Sequence, residues 1–377
     1  MKIAQYLRQS PWGDVTPENI SNGMGGRETA VVQIGENLAK LGHEVVTFAP
    51  VTKQFKSSYP NGGSCTYTSP DNITGGVVVM QPDLLITWED PRLASLNEVR
   101  DACKKIVMGM QVAHVLNEDL TLNSLKDLDH IVCLSNYAVN VFYEDNIKHV
   151  NMSQFEVIPN CVDYSKFKKK HVKNKTPTAI YSSSPDRGLQ NLVHVWPKVR
   201  EKIPNAELHV CYGVENWFKH VLFNHSRDGQ HALEIRDFLG IDNNLNKTKP
   251  AADGVIYHGK VGQKEVHSLM SQSHLLAFPA ETQSPTETGC ITVIEALASE
   301  CHPVLGDSDC LFSEFSSVAT FADTPIDHDK YANLIVDGFN GALIEQNNKV
   351  ELGKEFAANR DWSRAAKMYA DLVEVAK

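Results

Sequence analysis

Residues 278–307 read FPAETQSPTETGCITVIEALASECHPVLGD, and the whole chain can be read outward from them. Leu275, Leu276, Ala277 and Phe278 lead in as the end of a buried strand, which Pro279 closes. A polar loop continues to Gly289, after which Ile291, Ile294, Leu297 and Ala298 recur at helical spacing. Pro303, Val304, Leu305 and Gly306 then open another strand. Two carboxylates frame the helix start, with Glu287 in the loop just before it and Glu295 in its second turn. The unpaired amides at Gly289, Cys290 and Ile291, together with the helix dipole, would favour an anion at that end. An ordinary helix also favours solvated acids in its first turns, so both readings of the two glutamates stand at this point.

The architecture on either side repeats. The second half opens with a strand over 178–182 and a loop running from Ser183 to Gly188. A helix lined by Leu189, Leu192, Val193, Trp196 and Val199 follows, then a strand over 206–212. The first half opens in the same way. A strand over 2–7 leads into a loop holding Gly23, Gly25 and Gly26, then a helix with Val31, Ile34, Leu38 and Leu41 on one face, then a strand over 44–50. Such strand, loop, helix, strand units imply parallel sheets. The expected fold class is α/β, with two Rossmann-like domains facing across a cleft at the carboxyl ends of their strands. Further short strands are expected over 77–80, 84–87, 105–109, 130–134 and 255–259, and the polar residues 51–75 read as an exposed loop. The Lys-rich run 166–175 reads as a solvated linker, residues 213–250 as a polar helical insertion, and the tail from Asp361 as an amphipathic helix.

Composition bounds the function. A length of 377 residues suggests about two domains. With 42% hydrophobic and 22% charged residues the chain is an ordinary globular one, and a net charge of −10 argues against a nucleic-acid binder. The eight cysteines are scattered, without a Cys-x-x-Cys pair or a nearby His cluster at metal-ligand spacing, so they are expected to be reduced. The first residues, MKIAQYLRQS, carry no long apolar run, and no stretch approaches membrane-spanning length. A cytoplasmic chain without a transmembrane segment is expected, with peripheral membrane contact left open.

Glu287, seven intervening residues, Glu295-Ala296 and then Pro303-Val304 resemble the signature of the retaining glycosyltransferases of the GT-B type, the group 1 or family 4-like enzymes. Gly25-Gly26-Arg27-Glu28 is similar to the N-terminal loop of that family. The runs Asp129 to Ser135, Ile158-Pro159-Asn160-Cys161-Val162-Asp163 and Asp337-Gly338-Phe339-Asn340-Gly341 resemble its later segments. This chain departs from the pattern at several places. Thr288-Gly289 stand where Phe-Gly is usual, Glu300-Cys301-His302 replace a glycine before Pro303, and Cys161 replaces another glycine. Arg187 matches the family's lysine at the diphosphate, while Ser182 stands where its arginine would be.

The resemblance implies a GT-B fold and transfer of a hexose, with retention, from a nucleoside-diphosphate sugar to a hydroxyl acceptor. The donor would be UDP- or GDP-linked, the acceptor a glycan, lipid or small molecule, and no cofactor or metal would be needed. It implies an acceptor-side domain over 1–170, a donor domain over 171–355 and a final helix over 356–377 that packs back on the first domain. Glu287 and His114 would be catalytic residues at the donor sugar. Glu295 would hold the ribose, and Gly25, Gly26, Arg187, Ser182, Ser183, Thr288, Gly289, Cys290 and Ile291 would line the donor, with Arg27 a further cation near the diphosphate. Two other classes are compatible with the same residues: a nucleotide-sugar epimerase of this fold, and a nucleotide-sugar-binding scaffold without turnover.

Overall fold

Leu84, Leu85, Ile86, Thr87 and Trp88 are buried at every position, as a parallel strand covered on both faces requires. This strand is central to the first of two sheets. The computed structural model describes residues 1–169, 171–215, 217–218, 228–242, 246, 249–282, 285–341 and 344–374. Contacts divide the chain into two compact units, one of Met1–Val162, Pro285–Gly289 and Arg360–Lys377, the other of Asp163–Ser284 and Cys290–Asn359.

The first unit holds an eight-stranded sheet. Its strands are β1 (Lys2–Tyr6), β2 (Glu44–Phe48), β3 (Phe55–Ser58), β4 (Ser64–Thr68), β5 (Leu84–Trp88), β6 (Lys105–Gly109), β7 (His130–Cys133) and β8 (Phe155–Val157). Their order is β3-β4-β2-β1-β5-β6-β7-β8, parallel throughout except for the β3–β4 pair. The order reverses between β1 and β5, so the carboxyl ends of these two strands flank the switch point where ligands bind in open α/β sheets. Helix α1 (Gly26–Lys40) follows the glycine loop and buries Val31, Ile34 and Leu38 at helical spacing.

Two expectations fail in this unit. Residues 77–80, a run of valines ending in methionine, belong to helix α2 (Ile73–Met80) and not to a strand. Ile73 and Val77, four apart, are the pair the helix buries, while Val79 is 85% exposed. Gly76 permits this packing, because a Cβ there would lie 2.5 Å from the Phe48 ring. Residues 51–75 are not an exposed loop either: they contribute β3 and β4, with Cys65 and Tyr67 fully buried. Buried Glu36 of α1 fixes this edge by accepting hydrogen bonds from Ser57, Tyr59 and Tyr67 hydroxyls.

The second unit holds six parallel strands: β9 (Thr178–Tyr181), β10 (Glu207–Cys211), β11 (Val255–Gly259), β12 (Leu275–Phe278), β13 (His302–Gly306) and β14 (Thr320–Ala322). They are ordered β11-β10-β9-β12-β13-β14, which places the reversal between β9 and β12. Helices α3 (Leu189–Lys202), α4 (Gln263–Gln272), α5 (Ile291–Ala298), α6 (His328–Phe339) and α7 (Ile344–Asn359) lie in this unit. The Lys-rich run is not a free linker: Lys173 is half-buried and donates to the carbonyls of Ser273 (2.7 Å) and Ser299 (3.1 Å). Burial holds the Lys173 ammonium below its ordinary pKa. Lys170 of that run, part of the 213–250 insertion, Gln283 and Ser284 of the loop, and Ala342 and Leu343 lie outside the described residues.

Helix α8 (Trp362–Asp371) returns to the first unit, where it packs on α1. The Tyr369 ring lies 6.0 Å from that of Trp88. All eight cysteines are free and buried. Among the described residues no helix is long and apolar enough to cross a membrane, and no group of His, Cys, Asp or Glu is arranged to hold a metal ion.

Candidate functional site

In the second unit, the loop leaving β9 and the start of α5 are joined by the Thr292 hydroxyl, which donates to the Ser182 carbonyl at 3.1 Å. The Ser182 hydroxyl is buried and has no hydrogen-bond partner among the described residues. Ser183 and Ser184 lead into a short turn, Pro185–Arg187, capped by Gly188 at φ +102. A Cβ on Gly188 would lie 2.1 Å from the Pro279 carbonyl oxygen, so this turn can rest on the end of β12 only with glycine there. Arg187 Nη1 lies 3.3 Å from Asp186 Oδ2, so part of its charge is already balanced.

Helix α5 begins after Cys290, whose backbone is extended and whose side chain makes no cap hydrogen bond. Ile291 is the first helical residue. Glu295, one turn on, is only 7% exposed. Its Oε1 accepts from Gln263 Nε2 at 2.9 Å and from His267 Nε2 at 2.8 Å, both on the same face of α4. Its Oε2 takes no protein hydrogen bond among the described residues. In the loop after β12, Glu281 Oε2 accepts from the Ile326 amide (3.0 Å) and Asn191 Nδ2 (3.4 Å).

Glu287, Thr288 and Gly289 belong to the first unit. The Thr288 carbonyl accepts from the Ser135 hydroxyl at 2.8 Å, and the Thr288 hydroxyl donates to the Gln111 carbonyl at 3.0 Å. The Gly289 carbonyl accepts from Asn160 Nδ2 at 2.8 Å, and a Cβ on Gly289 would meet Leu134 Cβ at 2.7 Å. The loop carrying buried Glu287 is thereby fixed from three sides. Asn160, part of a motif noted in the sequence for its position, is one of the residues that fixes it.

At the carboxyl ends of β1 and β5, Gly25 caps α1 with extended backbone, and a Cβ on it would meet Trp12 Nε1 at 2.6 Å. Gly26 is the first residue of the helix. Arg27 is not an uncommitted cation: it donates to Glu28 Oε1 (2.7 Å), Glu89 Oε2 (2.9 Å) and the Gln9 carbonyl (3.1 Å). Glu89 stands directly after β5 in the left-handed region, φ +59. Burial raises its pKa, against the opposing pull of Arg27. His114 lies on an exposed loop beyond β6, its Nδ1 3.2 Å from Asp145 Oδ2. The sequence reading misses Glu89, Gln263 and His267. Position just after a fully apolar strand is the available signal for Glu89; for the other two the only signal is their spacing of four on an amphipathic helix.

No protein-family model and no curated protein matches the sequence. Solved structures do match over nearly the whole chain. One is a trehalose-6-phosphate synthase from work on enzymatic glycosyltransfer with retention (TM-score 0.67, 13% identity, 99% of each chain covered). Another is the sucrose-phosphate synthase of Thermosynechococcus elongatus (TM-score 0.66, 15% identity, 99% of this chain and 98% of that one). A third is the E. coli trehalose-6-phosphate protein bound with UDP-2-fluoro glucose (TM-score 0.67, 13% identity, 100% of both). At these identities the likeness establishes the fold, and the chain has the GT-B fold of glycosyltransferases.

Proposed function

We propose that this chain is a retaining glycosyltransferase. It moves a hexose from a UDP- or GDP-linked sugar to a hydroxyl of a glycan, lipid or small-molecule acceptor, and requires no metal ion. The observation that carries the reading is Glu295: a carboxylate almost buried in α5, beside the strand-order reversal, with one oxygen tied down and the other without a protein hydrogen bond among the described residues. A carboxylate oxygen of that kind suits the paired hydroxyls of a ribose.

In this reading Glu287, with His114, orients the donor sugar. Arg187, the Ser182 and Ser183 hydroxyls and the amides at residues 289–291 stabilise the departing diphosphate, charge that grows as the sugar bond breaks. Gly25 and Gly26 let backbone approach the phosphates closely. The bond from the sugar to the diphosphate breaks with its electron pair left on the diphosphate oxygen, the acceptor oxygen takes its place on the same face of the ring, and the acceptor's hydroxyl proton passes to the departing diphosphate. Two of the solved structures support the donor and the stereochemistry, one being bound with UDP-2-fluoro glucose and the other studied for transfer with retention.

The Arg187–Asp186 pair and the serine at 182 favour a second reading, a protein that binds a nucleotide sugar without transferring it. The purified chain with UDP-glucose or GDP-mannose and a panel of hydroxyl acceptors separates the two. Release of the nucleoside diphosphate, with an α-linked product seen by proton NMR, supports retaining transfer. An intact donor that stays bound supports the second reading, and a β-linked product overturns retention.

A further inference from the structure

Glu295 has an unusual pair of holders. Gln263 and His267 are four residues apart, so α4 presents them on one face. Both donate to the same oxygen of Glu295, at 2.9 and 2.8 Å. His267 is itself braced, its ring 4.5 Å from that of buried Phe167. Phe167 closes a short helical turn, Tyr164–Phe167, and its carbonyl lies 3.1 Å from His171 Nε2. A carboxylate with both bonds on one oxygen cannot rotate freely about its terminal torsion, so its second oxygen points in one direction.

We infer that Gln263 and His267 are positioning residues that aim Glu295 Oε2 at a ribose diol, and that this three-residue unit makes the site selective for ribonucleotides over 2′-deoxyribonucleotides. The inference rests on the proposed donor reading. Neither residue touches the ligand. Each acts by removing the conformational freedom that Glu295 would otherwise lose on binding, which is how a fixed geometry raises affinity. A hydroxyl bonded to a charged group contributes enough that its loss lowers affinity by about tenfold or more.

The test is a pair of titrations by calorimetry, with UDP and 2′-deoxy-UDP, or the guanine pair if that is the base bound. The wild-type chain should prefer the ribose form by about tenfold or more. His267→Ala and Gln263→Ala should bring that preference to within about threefold of unity, with a smaller loss of affinity for the deoxy form, which keeps only its 3′-hydroxyl for Glu295. His267→Gln, which keeps a donor to the carboxylate, should restore most of it. Because the deoxy form is the internal control, a misfolded variant is recognised by loss of both affinities, and the other variant then decides. A preference that survives both alanine variants overturns the inference and leaves the donor reading standing. Failure of the wild-type chain to bind any nucleoside diphosphate overturns the donor reading itself.

Discussion

Arg27 Nη1 lies 2.9 Å from Oε2 of Glu89, a residue held in the left-handed backbone region directly after the central strand β5. Arg27 also serves Glu28, so one guanidinium balances two carboxylates of low exposure. Arg27→Ala should therefore leave Glu89 uncompensated and cost about 2 kcal/mol or more. The double variant Arg27→Ala/Glu89→Gln should recover part of the loss. Urea unfolding midpoints at constant slope measure both, and additive effects would show that the two side chains are not coupled.

Gly188 has no tolerable substitute. Its φ of +102 lies outside the range of other residues, and an added Cβ would meet a backbone oxygen that cannot move away. Gly188→Ala should destabilise the chain by about 3 kcal/mol or more. Gly13, also at positive φ but with open space around it, should cost only about 1 kcal/mol on the same change. Comparing the two midpoints isolates the clash from the backbone strain.

These contrasts mark what can be read in the linear chain. The repeated strand, loop, helix, strand pattern and the Glu287 to Glu295 spacing are local, so the central strands of both sheets and α5 are legible, while the edge strands β8 and β14 are not. Residues 77–80 mislead because a valine run carries β propensity, whereas the deciding fact is the contact of Gly76 with Phe48, far away in sequence. β3 and β4 escape a sequence reading because their polar residues are satisfied by Glu36, which no spacing rule connects to them. The holders of Glu295 and the partner of Arg27 on β5's end likewise lie 28 or more residues away, where periodicity carries no information.

Acid should unfold the second unit through His302. Burial, with repulsion from Lys349, lowers this imidazole from 6.5 to about 4. Between those values the unfolded chain holds the extra proton and the folded chain does not, so stability falls as pH drops through that window and is retained above it. The loss amounts to about 3 kcal/mol between pH 7 and pH 4. His302→Gln should flatten this dependence in urea titrations at the two pH values; an unchanged slope would assign the acid sensitivity to other groups.

The thiols should be slow to react. Burial raises Cys65, Cys133, Cys211 and Cys301 to about 12, so almost none of each is thiolate at neutral pH. An aromatic disulfide reagent should titrate them within minutes only after denaturation. Rapid reaction in the native chain would contradict their burial.

The two glutamates should separate by the step they serve. Glu295→Ala should mainly weaken nucleotide binding, while Glu287→Ala should mainly lower turnover with nucleotide affinity close to wild type. Steady-state kinetics and equilibrium binding on the same preparations check this split, and wild-type turnover in both variants would remove the assignment.

The most direct measurement is the thermal midpoint of the purified chain with UDP, GDP, ADP, CMP and inorganic phosphate in turn. A ligand at about 100 times its dissociation constant adds about 2.7 kcal/mol to folding, a shift of several degrees in a chain of this kind. The account predicts that UDP or GDP alone raises the midpoint, and that Glu295→Ala shrinks the rise at the same ligand concentration. A midpoint unmoved by every nucleoside diphosphate would contradict the central claim that the site beside α5 binds a nucleotide-sugar donor.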